Sequence, residues 1–304
     1  LAAVIFSIIA QHASADFVYS TLDDPLTSNG GIGLHAISGN LIVGEEYFTQ
    51  TGLHHAFLYN GSTFTQLNDP NGVDGGAAHG VSGNTVVGEY YITGGKPRGF
   101  IYDGSTYKPL TYPGTTETRP NEMSGNTVVG TYLDAAGANH GFIYDGTNFT
   151  TLDDPLGVKG SELFSLSGSK TVGIYFDAQN LIHGFVHDST GFTTIDDPLG
   201  VGGTEIASIS GNLMVGFYFD SANLRHGFLY DGSVFTPLQY PNADGETLAL
   251  GIDGNSVVGS YFDAGHQHGF IAIVPEPSSL LAAASVGSLV LASRRHRRAI
   301  CPTN

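Results

Sequence analysis

His35, His79, Glu45 and Glu89 are the side chains with the most chemical scope in this sequence. Each histidine lies three residues before a Ser-Gly pair, and each glutamate follows directly on a Val-Gly pair. Imidazoles beside carboxylates can pass protons, hold a cation or hydrogen-bond a polar ligand. Later copies of the first position carry Asn121, Phe164, Ala207 and Leu250; later copies of the second carry Thr131, Ile174, Phe217 and Ser260. The first position is therefore polar in copies one to three and apolar in copies four to six. His35, His79, Asn121, Glu45 and Glu89 read as a small polar or metal-binding patch, or else as a wet interior under relaxed selection. The first copy also has one extra residue, Glu46, which reads as a β-bulge.

Other candidates recur too regularly to mark one site. His55, His140, His183, His226 and His268 each open a His-(Ala or Gly)-Phe phrase, with Arg98 in that place in the second copy. A residue repeated once per unit does the same structural job in each. A hydrogen bond to a neighbouring turn is expected, and arginine fits a donor better than a metal ligand. Asp-Asp-Pro occurs at Asp23-Asp24, Asp153-Asp154 and Asp196-Asp197, with Asn68-Asp69 as a variant. Paired carboxylates can hydrolyse glycosides or bind calcium. Adjacent residues of an extended chain point apart, however, and Asp before a turn caps backbone N–H groups by itself. No phosphate loop, nucleophile elbow or zinc-type His-Glu helix is present. The expectation is no enzyme, no cofactor and no bound metal.

The elements that must hold these residues form a repeat. The phenylalanines at 57, 100, 142, 185, 228 and 270 are 42 or 43 residues apart, and a Ser-Gly-Asn phrase and a proline keep nearly the same step. Periods of this size signal propellers or arrays. Each unit holds four strand-like runs, such as 204–210, 213–219, 226–231 and 234–239, rich in aromatic and β-branched residues. Gly211-Asn212 and Asp231-Gly232-Ser233 supply tight hairpin turns. The chain enters on a fourth strand, 17–22, and leaves on a third, 268–274. The expected fold is all-β: a six-bladed β-propeller of four-stranded blades over 16–274, closed by the N-terminal outer strand pairing with the last blade.

Composition narrows the partners. The 304 residues carry a formal net charge of −17, with 27 acidic against seven basic side chains between Asp16 and Val274. Nucleic acid and anionic lipid, which require Lys and Arg, are excluded as partners of that region. One cysteine, Cys301, rules out an internal disulfide framework.

Both ends read as targeting segments. Residues 1–15 are an apolar run closed by Ala13-Ser14-Ala15, the pattern of a secretory signal cut by signal peptidase and here truncated at its start. Near the other end stand Pro275, Glu276 and Pro277, then an apolar stretch over 280–292, then Arg294, Arg295, Arg297 and Arg298. Basic residues after an apolar segment hold it on the cytoplasmic side. The order over 275–298 resembles the PEP-CTERM sorting signal of exopolysaccharide-making Gram-negative bacteria, leaving 299–304 as a tail. That resemblance implies transient membrane anchoring, processing at Pro275-Glu276-Pro277 by an exosortase-type enzyme, and an extracellular or cell-surface destination. A permanent single-pass anchor is the alternative. The His-Ala-Phe phrase at 55–57, with the Tyr-Asp-Gly and Val-Val-Gly elements, resembles the HAF-type extracellular repeat family, which supplies no catalytic residues. The leading expectation is a non-enzymatic display platform that binds exopolysaccharide or a surface protein. A glycan-active lyase or hydrolase is the alternative, and a spacer without ligand a third.

Overall fold

The computed structural model describes residues 17–27, 31–49, 51–241 and 243–275. The signal-like segment 1–15, the tail from Glu276 onward with its arginine cluster, and 299–304 lie outside the described residues. Among the described residues no helix is long and apolar enough to cross a membrane.

The first strand, β1 (Val18–Thr21), stands apart in sequence from its partners. Three four-stranded antiparallel sheets follow. They are β2 (Gly31–Ser38), β3 (Leu41–Phe48), β4 (Leu53–Tyr59) and β5 (Phe64–Leu67); β6 (Gly76–Ser82), β7 (Thr85–Ile92), β8 (Lys96–Tyr102) and β9 (Tyr107–Leu110); and β10 (Thr118–Ser124), β11 (Thr127–Leu133), β12 (Asn139–Tyr144) and β13 (Phe149–Thr151). A twelve-stranded sheet holds three further groups of four. The first is β14 (Ser161–Ser167), β15 (Lys170–Phe176), β16 (Ile182–Asp188) and β17 (Gly191–Ile195). The second is β18 (Gly203–Ser210), β19 (Leu213–Phe219), β20 (Arg225–Tyr230) and β21 (Phe235–Pro237). The third is β22 (Thr247–Asp253), β23 (Ser256–Asp263) and β24 (His266–Ile273), with β1 as its outer strand. Single parallel bridges, Ile182↔Gly203 and His226↔Thr247, join these groups. The fourth strand β21 is shorter than the 234–239 run expected and ends at Pro237.

β1 pairs antiparallel with β24, from Val18↔Ile273 to Thr21↔Phe270. The first strands of the groups are innermost and pack on one another: β2 on β6 and β22, β10 on β6 and β14, β18 on β14 and β22. The fold is propeller-like, built of four-stranded sheets around these inner strands.

One packing unit explains the repeated phrases. The Val-Gly glycine of the second strand pairs with the phenylalanine of the third, as in Gly44↔Phe57 and Gly216↔Phe228. All six phenylalanines, at 57, 100, 142, 185, 228 and 270, are at most 1% exposed. A Cβ on Gly44 would fall 1.8 Å from the Gly33 carbonyl oxygen, and one on Gly216 1.9 Å from that of Glu205. Only glycine lets the inner strand come so close, and the phenylalanine ring fills the space beyond it. Each such ring contributes about 1.5–3 kcal/mol by burial.

Polar ties join the sheets. Ser82, Ser167 and Ser210 accept the N–H of Gly125, Gly211 and Gly254 in the following repeat, at 3.2, 3.0 and 3.0 Å, and Asp253 of the last repeat accepts that of Gly39 in the first at 2.7 Å. The histidines do reach neighbouring turns. Nδ1 of His140, His183 and His268 lies 2.7, 2.7 and 2.8 Å from Asp153, Asp196 and Asp23, and His55 lies 3.1 Å from Asn68. His226 differs: it uses Nε2, 3.0 Å from Asp220. The two aspartates of each Asp-Asp-Pro divide the work. The first meets the histidine; the second is buried and caps its own turn, as when Asp154 accepts Leu156 N–H at 2.8 Å.

Glu46 corrects an expectation. The β3–β4 register runs unbroken through Glu46↔His55, so no bulge lies there. The extra residue is taken up in the hairpin turn between Phe48 and Leu53. Glu46 therefore occupies the position that Tyr90, Tyr132, Tyr175, Tyr218 and Tyr261 hold in the other copies. It is fully buried, with neither carboxyl oxygen hydrogen-bonded among the described residues. Burial first, and the nearby Asp24 second, push its carboxyl up to about 8. An acid whose pKa is raised on folding lends full stability only below its unfolded value, and loses it as pH rises to the folded one. The native state should thus lose stability between about pH 4.5 and 8. Glu46→Gln should raise the chemical denaturation midpoint at pH 8, by about 1–3 kcal/mol of stability, and leave it unchanged at pH 4. An equal effect at both pH values would show that the buried charge is not the cause.

Candidate functional site

The bulges lie elsewhere, and they build the site. Every innermost strand skips one residue in its pairing, between Leu34 and Ala36, Ala78 and Gly80, Pro120 and Glu122, Leu163 and Ser165, Ile206 and Ser208, and Ala249 and Gly251. The skipped residues are His35, His79, Asn121, Phe164, Ala207 and Leu250. A bulge re-aims its side chain out of the ladder. All six line one cavity of about 240 Å³, joined there by Glu205. The residues set apart by their departure from the repeat therefore come together in space.

The cavity has two unlike walls. On the polar side His35 and His79 stack face to face, 5.0 Å between centroids and 4° from parallel. His35 Nδ1 lies 3.0 Å from the Ala78 carbonyl, and burial followed by His79 holds the imidazole down at about 4, so it is neutral at pH 7. Behind the histidines stand the glutamates that follow Val-Gly. Glu45 is 3.1 Å from His54 Nδ1 and 4.0 Å from His35 Nε2. Burial alone would raise its pKa, but the His54 hydrogen bond and the histidine charges bring it to about 2. His54 rises in return, through its hydrogen bond to Glu45. Glu89 lies 3.7 Å from His79 and 3.5 Å from Arg119, and accepts the Tyr91 hydroxyl at 2.6 Å. These partners overcome its burial and keep it ionised. Asn121 donates to the Leu163 carbonyl at 2.8 Å. Phe164, Ala207 and Leu250 form the apolar wall.

Three charged residues at this level were missed by the sequence reading: Arg119, Glu162 and Glu205. They occupy the position two before each bulge, where the other copies have Gly33, Ala77 and Leu248. Their variation was itself the signal, at a third position of the repeat. Glu205 is pushed up to about 8 by burial and then by Glu162, against the pull of Arg225. Glu162 is raised by burial, with Arg119 and Asn139 opposing. The opposite end of the inner strands holds a polar cavity of about 180 Å³ lined by serines, Glu122 and Asp253. Burial raises Glu122 to about 8.

Among the described residues no group of three or more His, Cys, Asp and Glu side chains is placed to hold a metal ion. Of the processing motif only Pro275 is described, just past β24; Glu276, Pro277, Arg294, Arg295, Arg297 and Arg298 lie outside the described residues.

Four-stranded sheets packed through bulged inner strands define a β-propeller-like protein with a candidate site where those strands converge. No family model and no curated protein matches the chain. Similar solved structures are β-propellers. The β-propeller domain of the trilobed protease from Pyrococcus furiosus is 10% identical, with TM-score 0.50, over 81% of this chain and 94% of that one. TolB from Acinetobacter baumannii is 12% identical, with TM-score 0.54, over 78% and 64%. A Trypanosoma rangeli sialidase mutant is 10% identical, with TM-score 0.51, over 90% and 58%. At such identities the likeness is one of fold.

Proposed function

We propose that this chain is an exported, non-enzymatic surface or matrix protein whose closed six-bladed propeller binds saccharide at one end of its central channel. Closure is supported by the β1–β24 pairing, by β2 packing on β22, and by Asp253 accepting Gly39 N–H. These contacts join the first and last repeats in the manner that joins the others. Export and anchoring are supported by the resemblance of the two ends to a secretory signal and a PEP-CTERM segment, and of the repeats to the HAF type. The partners on that reading are signal peptidase, an exosortase-type enzyme and exopolysaccharide or another surface protein.

The two-walled cavity carries the binding reading. A sugar ring has an apolar face and a polar rim. Phe164 and Leu250 suit the first; His35, His79 and Asn121 suit the second. At about 240 Å³ the cavity lies below the usual ligand-pocket range of about 300–1,000 Å³, so it takes one ring-sized group.

A glycan-active enzyme is the second reading, favoured by one observation. Glu205 lines the cavity, and burial holds its carboxyl up at about 8, protonated at neutral pH as a general acid must be. Binding without turnover is preferred because Glu45 and Glu89 are engaged by His54, Tyr91 and Arg119. A carboxylate so stabilised is a weak base.

Three outcomes are expected. A glycan array with the secreted protein should give saccharide binding that Phe164→Ala weakens roughly three- to tenfold; no binding sinks the saccharide reading, and release of reducing ends or unsaturated products, lost in Glu205→Gln, makes the protein an enzyme. Deleting residues 17–22 should lower the unfolding midpoint or cause aggregation by exposing β24, whereas an unchanged midpoint counts against ring closure. Mass spectrometry of the mature C-terminus should place it near Pro275; a retained Arg295 would argue against processing there.

A further inference from the structure

A second cavity lies beside the first. It has a volume of about 430 Å³, within the ligand range, and is lined by Gly31, Tyr47 and His54 from one side and Phe262, Gly265, His266 and Gln267 from the other. It is a groove between the β2–β5 sheet and the group containing β24.

Gln267 meets β2 here: a Cβ on Gly31 would lie 3.0 Å from Gln267 Cβ. Neighbouring sheets elsewhere approach at this level too. Backbone bridges join them at Asn139↔Gly160 and Ile182↔Gly203, and ion pairs at Arg225–Glu246, 2.6 Å, and Lys96–Glu117, 3.7 Å. Glu117 and Glu246 stand at the repeat position of Gly31, which Gly75, Gly160 and Gly203 share, and Arg119, Glu162 and Glu205 stand at that of Gly33. With glycine at both places on β2, the side chain at this level is Gln267, from β24. Gly33 lies between one lining residue of each cavity. A Cβ there would lie 3.2 Å from His35 Nε2, which lines the channel cavity, and 3.4 Å from Gln267 Nε2, which lines the groove.

The groove walls are aromatic. Tyr47 and Phe262 occupy one repeat position, aromatic also at Tyr91, Phe176 and Phe219 and aliphatic only at Leu133. Tyr47 packs against His54 at 5.0 Å between centroids. Aromatic faces with hydrogen-bonding groups beside them suit sugar rings, which carry C–H bonds on a face and hydroxyls on the rim.

Charge selects among sugars. Two arginines at this end are already spent on carboxylates, Arg119 on Glu89 and Glu117, at 3.5 and 3.7 Å, and Arg225 on Glu246 at 2.6 Å, and a third, Arg98 on β8, does not line the groove. His54 is paired with Glu45, and the chain as a whole carries a formal net charge of −17. A sugar carboxylate would find repulsion here rather than a bidentate partner.

We propose that the Tyr47–Phe262 groove is a second subsite, next to the channel cavity across Gly33, and that together they bind a neutral or amino-bearing oligosaccharide of at least two rings in preference to a uronate. The proposal rests on the saccharide reading of the channel cavity.

The test titrates the full-length secreted protein with glucosamine, its dimer and tetramer, the matching glucose series, and galacturonate oligomers of the same lengths. The neutral or amino dimer should bind about tenfold tighter than its monomer, and the galacturonates at least tenfold more weakly than either dimer. Tyr47→Leu and Phe262→Leu follow the residue found at 133, so the fold has a precedent for them. They should weaken the dimer roughly three- to tenfold and leave the monomer unchanged. In the unmutated protein, the Tyr47 and Phe262 ring resonances should shift with dimer and not with monomer, a readout independent of variant folding. Equal affinities for monomer and dimer, unmoved ring resonances, or galacturonate bound as tightly as the other dimers would overturn the groove and leave the channel site standing. Absence of binding to every sugar would overturn both.

Discussion

The whole architecture depends on a close approach of two strands that only glycine permits. At the Val-Gly position the inner strand's carbonyl lies where a Cβ would be, 1.8 Å away at Gly44. The phenylalanine opposite covers the gap and is itself shut from water. Removing either partner leaves a clash or a cavity, and truncating a buried phenylalanine costs about 3–5 kcal/mol. The same place carries the bulge of the inner strand, one residue beyond the paired one. A uniform packing rule thus sets six side chains free from the ladder and aims them at a common centre.

That centre is where the repeat stops behaving as a repeat. Packing asks the same of each copy at Gly44 or Phe57, but asks little of a side chain that faces an open channel. Histidines, an asparagine, a phenylalanine, an alanine and a leucine stand there in turn. Electrostatics then differ around the axis. Glu45 and Glu89 are held charged by histidine, tyrosine and arginine partners, while Glu205 shares a buried level with Glu162 and is held neutral. A low-dielectric channel enlarges such differences. Between the first and last repeats lies a groove walled by Tyr47 and Phe262.

Much of this was legible in the residues. The 42–43-residue step gave the number of copies, and hairpin turns at the Gly-Asn and Asp-Gly pairs gave four strands to each. His35, His79 and Asn121, with Glu45 and Glu89, were recognisable because they broke a pattern. Arg119, Glu162 and Glu205 broke it too, two residues earlier, at a position not compared across copies. Glu46 was misread because a count of residues cannot say whether an insertion lies in a strand or in the turn after it. Register settles that, and register belongs to the pairing of β3 with β4.

The sequence by itself determined the element types, their order and the kinds of side chain available, because period-two patterning, turn residues and forced glycines act locally. The tertiary structure alone decided which distant residues share a cavity, and which carboxyls stay charged in it. Those outcomes depend on bulges, on how closely neighbouring sheets approach, and on how much water is excluded. Each is set by contacts between segments some forty residues apart, which no local pattern encodes.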